Sequence, residues 1–312
     1  MPNIAVIIVN WNGKKDTLEC LASLRQVKSQ SFGKAQDDPE RSRMGQKSKV
    51  KSIIVDNGST DGSVPVIRKR FPEVEIVETG KNLGFTGGNN VGIRRALAGG
   101  ADYLWLLNND TTVHPATLSA LIAAFQDTRV GIAGSKIYFT PGYEFHKKRY
   151  GKAELGKVIW YAGGLIDWGN MYASHRGVDE VDSGQYDRME ETPFVTGCSM
   201  MVRKEVFDKI GFLDEKFFAY LEDLDFCLRA KQVGYTLLYE PQSKLWHKNA
   251  GSSSVGSGLH QYYMTRNRLL IGMRYAPLRT KIALLKEGVR FTAIRRRAYL
   301  DALLGRYGKQ NI

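Results

Sequence analysis

DYLWLLNNDTTV, residues 102–113, decides how the chain is read: a nearly saturated apolar run, Tyr103 to Leu107, delivers Asn108, Asn109 and Asp110 together at its carboxyl end. Such a run is the mark of a strand buried on both faces, as in a sheet covered by helices. Polar groups at the carboxyl end of such a strand stand where open α/β sheets take their ligands. Hard cations such as magnesium and manganese take oxygen ligands and share them with substrate phosphates. Asp110 is therefore the leading metal ligand, its alternative being a turn or cap carboxylate ahead of the helix opening at Pro115.

Working outward, the first half alternates short apolar runs with helical patterns. Strands are predicted at 4–9, 51–56, 74–79 and 102–108, and helices at about 15–27, 63–71, 88–98 and 115–126. The expected fold is α/β, a central and mostly parallel sheet flanked by helices. Residues 28–52 interrupt the rhythm with polar and charged residues and read as a mobile surface insertion; 141–157 is a second polar interruption before a new strand at VIWYAGG (158–164). The second half has fewer apolar strands and more polar clusters without periodicity, which is how substrate-binding loops look.

Composition narrows the class. With 312 residues, 43% hydrophobic and 25% charged, the chain excludes collagenous, low-complexity and globally disordered proteins. No stretch approaches the roughly 18 apolar residues of a spanning helix, and the start carries no secretory leader. Cys20, Cys198 and Cys227 form no CxxC pair, so neither a disulfide framework nor a cysteine zinc site is expected, and a reducing cytoplasm fits. The net charge of +13 is uneven: residues 266–312 carry +10 and the rest only +3. That tail reads as a basic amphipathic helix, with Ile282, Leu285 and Val289 on one side. It suits either an anionic membrane surface or packing on its own domain.

Five further segments carry chemistry. VDNGSTDGS (55–63) places Asp56 at the carboxyl edge of the second strand, where a carboxylate can accept from a base or ribose; Asn57, Gly58, Ser59 and Asp61 are the ordinary residues of a tight turn. NLGFTGGNN (82–90) reads as a glycine-rich loop before a helix, in which Asn82, Gly84 and Gly88 allow close backbone approach to a ligand. It matches neither the phosphate-loop nor the dinucleotide fingerprint, so both of those nucleotide chemistries are set aside. FFAYLEDLDFCLR (217–229) opens a helix with three acids: Asp225 has Arg229 four residues on, Glu222 can stabilise the first turn or contact a diphosphate or acceptor, and Asp223 has no partner on its face, as a general base needs. His247, in LWHKNAGSS (245–253), is the histidine that suits a metal alongside Asp110. In YYMTRNRLL (262–270), Arg266 and Arg268 beside aromatics are suited to gripping a diphosphate or acceptor, or are solvated arginines on a surface helix.

Taken in order, VIIVNWNG (6–13), VDNGSTDGS, NLGFTGGNN, LWLLNNDTTV (104–113), FVTGCSMMVRKEVF (194–207), FFAYLEDLDFCLRA (217–230) and LWHKNAGSS closely resemble the family 2 glycosyltransferases, in particular the rhamnosyltransferase-like branch, over about residues 3–275. The resemblance implies a GT-A fold at 1–265, with about 1–130 as the nucleotide half and 131–265 as the acceptor and metal half. A basic helical tail follows at 266–312. It further implies a nucleotide-diphospho-sugar donor, Mg2+ or Mn2+, and inversion at the anomeric carbon. Carried over by position, it puts Asp56 on the nucleobase and Asn108 near the ribose, with Asn109 beside it. Asp110 and His247 fall on the metal, and Asp223 becomes the base that deprotonates the acceptor. The family's aspartate-any-aspartate motif stands here as Asn108-Asn109-Asp110, without its first carboxylate. Two other readings remain: a sugar-1-phosphate nucleotidyltransferase, for which NWNGKKDT (10–17) is a poor substitute for the usual glycine-rich basic signature, and a nucleic-acid-binding protein using the +10 tail, for which no recognised motif is present.

Overall fold

The computed structural model describes residues 2–31, 49–249 and 256–311. The four early strands form where the apolar runs stand: β1 (Asn3–Asn10), β2 (Lys49–Asp56), β3 (Glu75–Glu78) and β4 (Tyr103–Leu107). They pair in parallel in the order β4-β1-β2-β3, so each needs a crossover. Helices α1 (Lys14–Ser31), α2 (Ser63–Arg70) and α3 (Gly84–Ala98) supply it. The cores of β1 and β4 are buried, Ile4 to Ile8 and Leu104 to Leu107. A chain segment loses contact with water on both faces only when helices cover both, which explains the unbroken apolar lettering.

The second half pairs differently. β11 (Ser199–Arg203) inserts antiparallel between β4 and β6 (Val130–Phe139), and β12 (Thr236–His247) lies parallel to β6 on its far side. The expectation of a mostly parallel sheet thus holds for the first half, and the whole is a mixed ten-stranded sheet. Its seam is stitched by a buried hydroxyl chain: Trp105 Nε1 donates to Ser199 Oγ at 3.0 Å, and Ser135 Oγ stands 2.8 Å from Ser199 Oγ and 2.7 Å from Ser243 Oγ. Each buried hydroxyl is satisfied by its neighbour, so no desolvation cost is left open.

The edges of the expected 28–52 insertion are regular structure. Residues 28–31 complete α1 and 49–52 begin β2; residues 32–48 lie outside the described residues. Residues 141–157 are irregular but anchored: Trp246 Nε1 donates to the Gly156 carbonyl at 2.9 Å and Tyr150 OH to the Asp179 carbonyl at 2.9 Å.

After β12 the chain continues into α7 (Gly258–Tyr275), α8 (Leu278–Gly288) and α9 (Ala293–Leu303). The expected boundary at 265/266 falls inside α7, because Tyr262, Arg266, Asn267 and Ile271 are all buried against the rest of the molecule. The tail proper is therefore α8 and α9. There Ile282 and Val289 are exposed and Leu285 is partly buried against the core, while the buried leucine is Leu284, so the stripe expected to face one way is split between core and solvent.

Candidate active site

Asp110 and His247 are brought together by a ladder. A short strand, β5 (Thr111–Val113), pairs antiparallel with the end of β12 in a register that places His247 opposite Thr111, the residue after Asp110. Two residues far apart in sequence are thereby forced together: His247 Nε2 is 3.0 Å from Asp110 Oδ1, and both side chains are buried. Asn108 Nδ2 lies 3.5 Å from the same imidazole nitrogen. Burial works against a charged imidazole, but the Asp110 carboxylate outweighs it and Cys198 adds to the effect, so the His247 pKa is raised well above its ordinary value. Burial opposes the Asp110 carboxylate too, and His247 and Lys248 nevertheless hold its pKa below the usual aspartate value.

The donor set fits a hard divalent cation. Asp110 Oδ1 and His247 Nε2, a carboxylate oxygen and an imidazole nitrogen held 3.0 Å apart, are donors of the kinds that such a cation takes. Among the described residues no group of three or more His, Cys, Asp and Glu could hold a metal. Two protein ligands leave most of the coordination sphere to phosphate oxygens and water, as magnesium and manganese require in phosphate-handling enzymes. His247 Nδ1 is buried without a hydrogen-bond partner among the described residues.

Trp160, on β7 (Ile159–Tyr161), braces the imidazole with its ring edge, the centroids 4.6 Å apart. Behind it, His175 on β9 (Tyr172–His175) lies 4.3 Å from the same indole and donates through Nδ1 to the Trp160 carbonyl at 3.1 Å. Burial lowers the His175 pKa to about 4, so it stays neutral. The sequence reading took VIWYAGG only as a strand and missed this bracing; a tryptophan at a strand end beside polar loops was its one signal.

The opposite flank carries Asp223 on α6 (Glu222–Gln232). Its Oδ2 accepts from the Gly197 amide at 2.9 Å and its Oδ1 from the Leu224 amide at 2.8 Å. Burial raises the carboxyl above the ordinary aspartate value, and those two amides pull the other way. Gly197, within FVTGCSMM, carries no local signal of this role, which depends on its long-range partner Asp223. The next residue, Cys198, accepts from the Asn108 amide at 3.0 Å, so one turn touches both flanks.

Glu222, beside Asp223, is buried, and burial followed by the Asp223 charge raises its pKa well above the usual glutamate value. Its Oε2 and the buried Thr86 Oγ1 make no hydrogen bond among the described residues. Asp225 takes the structural part expected of it: Oδ2 accepts from Arg229 Nε at 2.8 Å, and Oδ1 from Arg274 at 2.7 Å and Tyr275 OH at 2.8 Å.

The chain enters α6 through a strained turn. Phe218, Tyr220 and Leu221 all have positive φ, of 62°, 68° and 67°. Each such residue without being glycine costs on the order of 1–3 kcal/mol. Arg266 and Asn267 hold the turn in place. Arg266 donates to the carbonyls of Lys216 and Phe217, both at 2.8 Å, and of Gly308 at 2.7 Å; Asn267 Nδ2 donates to those of Phe217, Ala219 and Tyr220 at 2.8–3.1 Å. Five bonds into the turn, at about 0.5–3 kcal/mol each, match the strain in size. This corrects the sequence reading of Arg266 as a diphosphate grip: it is fully buried and its donors are spent on backbone carbonyls and Asn267 Oδ1. Arg268 is corrected likewise, bonded to the Asn170 carbonyl and Glu287 and stacked over Tyr172 at 4.0 Å.

At the nucleotide edge the predicted residues gather but bind one another. Asp56 is buried, Oδ1 accepting from Asn10 Nδ2 at 2.9 Å and Oδ2 from the Ser59 amide at 3.0 Å. Asn57 clamps the next loop, donating to the Gly84 carbonyl and accepting from the Leu83 amide, while Asn82 Oδ1 accepts from the Gly84 amide at 2.8 Å. The glycine-rich stretch is not a loop: α3 begins at Gly84. Gly84 has φ +75° and a Cβ there would lie 2.4 Å from the Phe218 carbonyl, so only glycine lets α3 meet the strained turn. Gly88 is corrected from ligand approach to packing, since a Cβ would lie 2.9 Å from Val9 of β1. Asn109 turns toward α1, donating to Thr17 Oγ1 at 3.0 Å. Ala250 to Ser253 of the LWHKNAGSS segment lie outside the described residues.

A parallel half joined to a mixed half in one sheet, with carboxylates and a histidine at the strand ends, is the arrangement of the GT-A fold. The solved structures similar to this chain have that fold. They include a mannosyltransferase from Pyrobaculum calidifontis in complex with GDP-Man and Mn2+ (TM-score 0.54, 16% identity, covering 97% of this chain and 74% of that one) and a GalNAc-T7 with UDP, GalNAc and Mn2+ (TM-score 0.63, 14% identity, 97% and 55%). The family model described as "Glycosyl transferase family 2" matches residues 5–211, and one described as "Glycosyl transferase family group 2" matches 167–304. The chain belongs to family 2 of the glycosyltransferases and is a glycosyltransferase. Relatives include an N-acetylglucosaminyl-diphospho-decaprenol L-rhamnosyltransferase of Mycobacterium tuberculosis, 26% identical over 68% of this chain and 70% of that protein. A dTDP-rhamnosyl transferase of Shigella flexneri is 24% identical over 72% of each chain.

Proposed function

We propose that this chain transfers a sugar, with inversion, from a UDP- or dTDP-linked donor to a hydroxyl of a glycan or lipid-linked glycan in cell-surface polysaccharide synthesis. The observation that carries the reading is the 3.0 Å approach of His247 Nε2 to Asp110 Oδ1 at the carboxyl edge of the sheet. The names of the two rhamnosyltransferase relatives support a dTDP-sugar donor and a lipid diphosphate acceptor.

In this reading Asp110 and His247 would hold Mg2+ or Mn2+, and the cation, when bound, would supply charge stabilisation worth several kcal/mol to the leaving nucleoside diphosphate. The nucleoside lies along the ends of β1, β2 and β4, where Asp56, Asn82, Gly84, Asn108 and Asn109 stand. Residues 1–130 form the donor half, and 131 onward the acceptor half. Asp223 accepts the proton of the attacking hydroxyl through a carboxylate oriented by the Gly197 and Leu224 amides, a contribution of roughly 100- to 10,000-fold. Attack from the face opposite the diphosphate inverts the anomeric centre. Nucleic acid is not expected as a partner. We place the enzyme in the cytoplasm, peripheral on the inner face of the membrane; no helix among the described residues is long and apolar enough to cross it.

The test is release of UDP or dTDP from a panel of nucleotide sugars by the purified protein with magnesium or manganese. The expected result is metal-dependent release that Asp223→Asn abolishes while donor binding persists. Turnover retained in that variant removes Asp223 from the role, and pyrophosphate release from a nucleoside triphosphate would point instead to nucleotidyl transfer.

A further inference from the structure

Helix α9 packs one face on the acceptor side of the site and leaves the other unpartnered. Its inward residues, Ile294 and Ala298, join Phe218, Tyr220, Leu259, Tyr262 and Tyr263 in a compact apolar cluster around the strained turn that leads to Asp223. Its outward stripe, Ala293, Arg296, Arg297, Leu300 and Leu304, repeats at three and four residues and lines an open surface cavity of about 490 Å³, bordered by Arg306 and Gln310.

The cavity has two chemistries. Arg296, Arg297 and Arg306 supply three guanidinium groups, and the buried Asp301 is the carboxylate among them, 3.8 Å from Arg297 and 3.5 Å from Arg306. Asp301 also accepts from Tyr262 OH at 2.6 Å, so its charge is turned partly inward. The lining keeps an excess of positive charge, and Arg296 has no carboxylate within ion-pair distance among the described residues. Beside the guanidinium groups, Leu300 and Leu304 are 45% and 62% exposed, with Leu303 next to them at 52%. Val289 at the end of α8 is 82% exposed. Leucines left in water beside three arginines that share a single carboxylate fit neither a folded core nor a soluble anion site. They fit a surface where phosphate and hydrocarbon meet.

We infer that this cavity seats the phosphate headgroup of an anionic membrane lipid, with Leu300, Leu303 and Leu304 entering the acyl boundary. Guanidinium groups take phosphate oxygens in pairs, and α9 then holds the acceptor side of the enzyme against the surface that would carry a lipid-linked acceptor. The inference deepens the proposed function and relies on it only for purpose: lipid binding is read without any sugar transfer, so either idea can fail alone.

Vesicle flotation tests it, using the full chain with phosphatidylcholine vesicles that contain or lack phosphatidylglycerol. The wild-type protein is expected to float with the anionic vesicles and not with the neutral ones. Each arginine near an anionic surface is worth about fivefold in partitioning, so the triple variant R296Q/R297Q/R306Q should lose on the order of 100-fold. Arg296→Gln alone, which disturbs no ion pair, should lose about fivefold and guards against a folding defect in the triple variant. Melting temperature should match wild type in Arg296→Gln, and Mn2+–dTDP binding should match it in both. Inorganic phosphate at constant ionic strength should leave vesicle binding intact. Equal flotation with neutral vesicles, undiminished binding by the folded triple variant, or displacement by inorganic phosphate would each overturn the inference.

Discussion

The two flanks of the site are held by different kinds of structure. Asp110 and His247 meet because two strands pair in one register, and a register is fixed by every residue of the ladder. Asp223 stands beyond a turn of three residues with positive φ, kept in shape by two side chains from a helix more than forty residues later. The ladder makes the metal flank insensitive to single changes outside the pair. The clamp makes the base flank depend on buried residues that touch no substrate.

The largest effect should come from the base itself: Asp223→Asn is expected to lower turnover by roughly 100- to 10,000-fold with nucleotide affinity unchanged, as read by steady-state kinetics and a nucleotide titration. Next comes the clamp. Asn267→Ala leaves the Ala219 and Tyr220 carbonyls without their buried donor, and should lower kcat by about 10- to 100-fold while KM for the donor stays near wild type. An equal fall in both flanks' functions, including metal affinity, would erase the distinction between ladder and clamp.

A third change separates packing from ligand contact at the nucleotide edge. Gly88→Ala is expected to destabilise by about 1–3 kcal/mol, through the clash with Val9, with donor KM unaltered once the protein is folded. The smallest effect concerns Glu222. Its folded-state pKa is raised, so its contribution to stability is fully present below the unfolded pKa and is lost as pH rises through the folded one. Glu222→Gln removes that loss. Melting temperatures of the two proteins should therefore coincide near pH 4 and diverge by a few degrees in favour of Gln at neutral pH.

What the sequence made legible follows the same division. The first four strands and their helices were readable because parallel strands buried on both faces write themselves as continuous apolar runs. Asp110, Asp223 and His247 were readable as motif residues, and the pairing of the first and last was expected from their coexistence. The β5–β12 register that joins them was not, since three-residue strands leave no periodic signal. Arg266, Arg268 and Gly88 misled because an arginine beside aromatics, or a glycine among glycines, looks the same whether it meets a ligand or a carbonyl. Only the long-range partner decides, and local lettering does not carry it.

The convergence of Asp110 and His247 on one cation is tested most directly by Mn2+ titration with dTDP present, followed by electron paramagnetic resonance. The account expects one bound Mn2+ per chain in the wild type, and at least a tenfold loss of affinity in both Asp110→Ala and His247→Ala, with melting temperature kept as the control for folding. Wild-type Mn2+ affinity in either folded variant would contradict it.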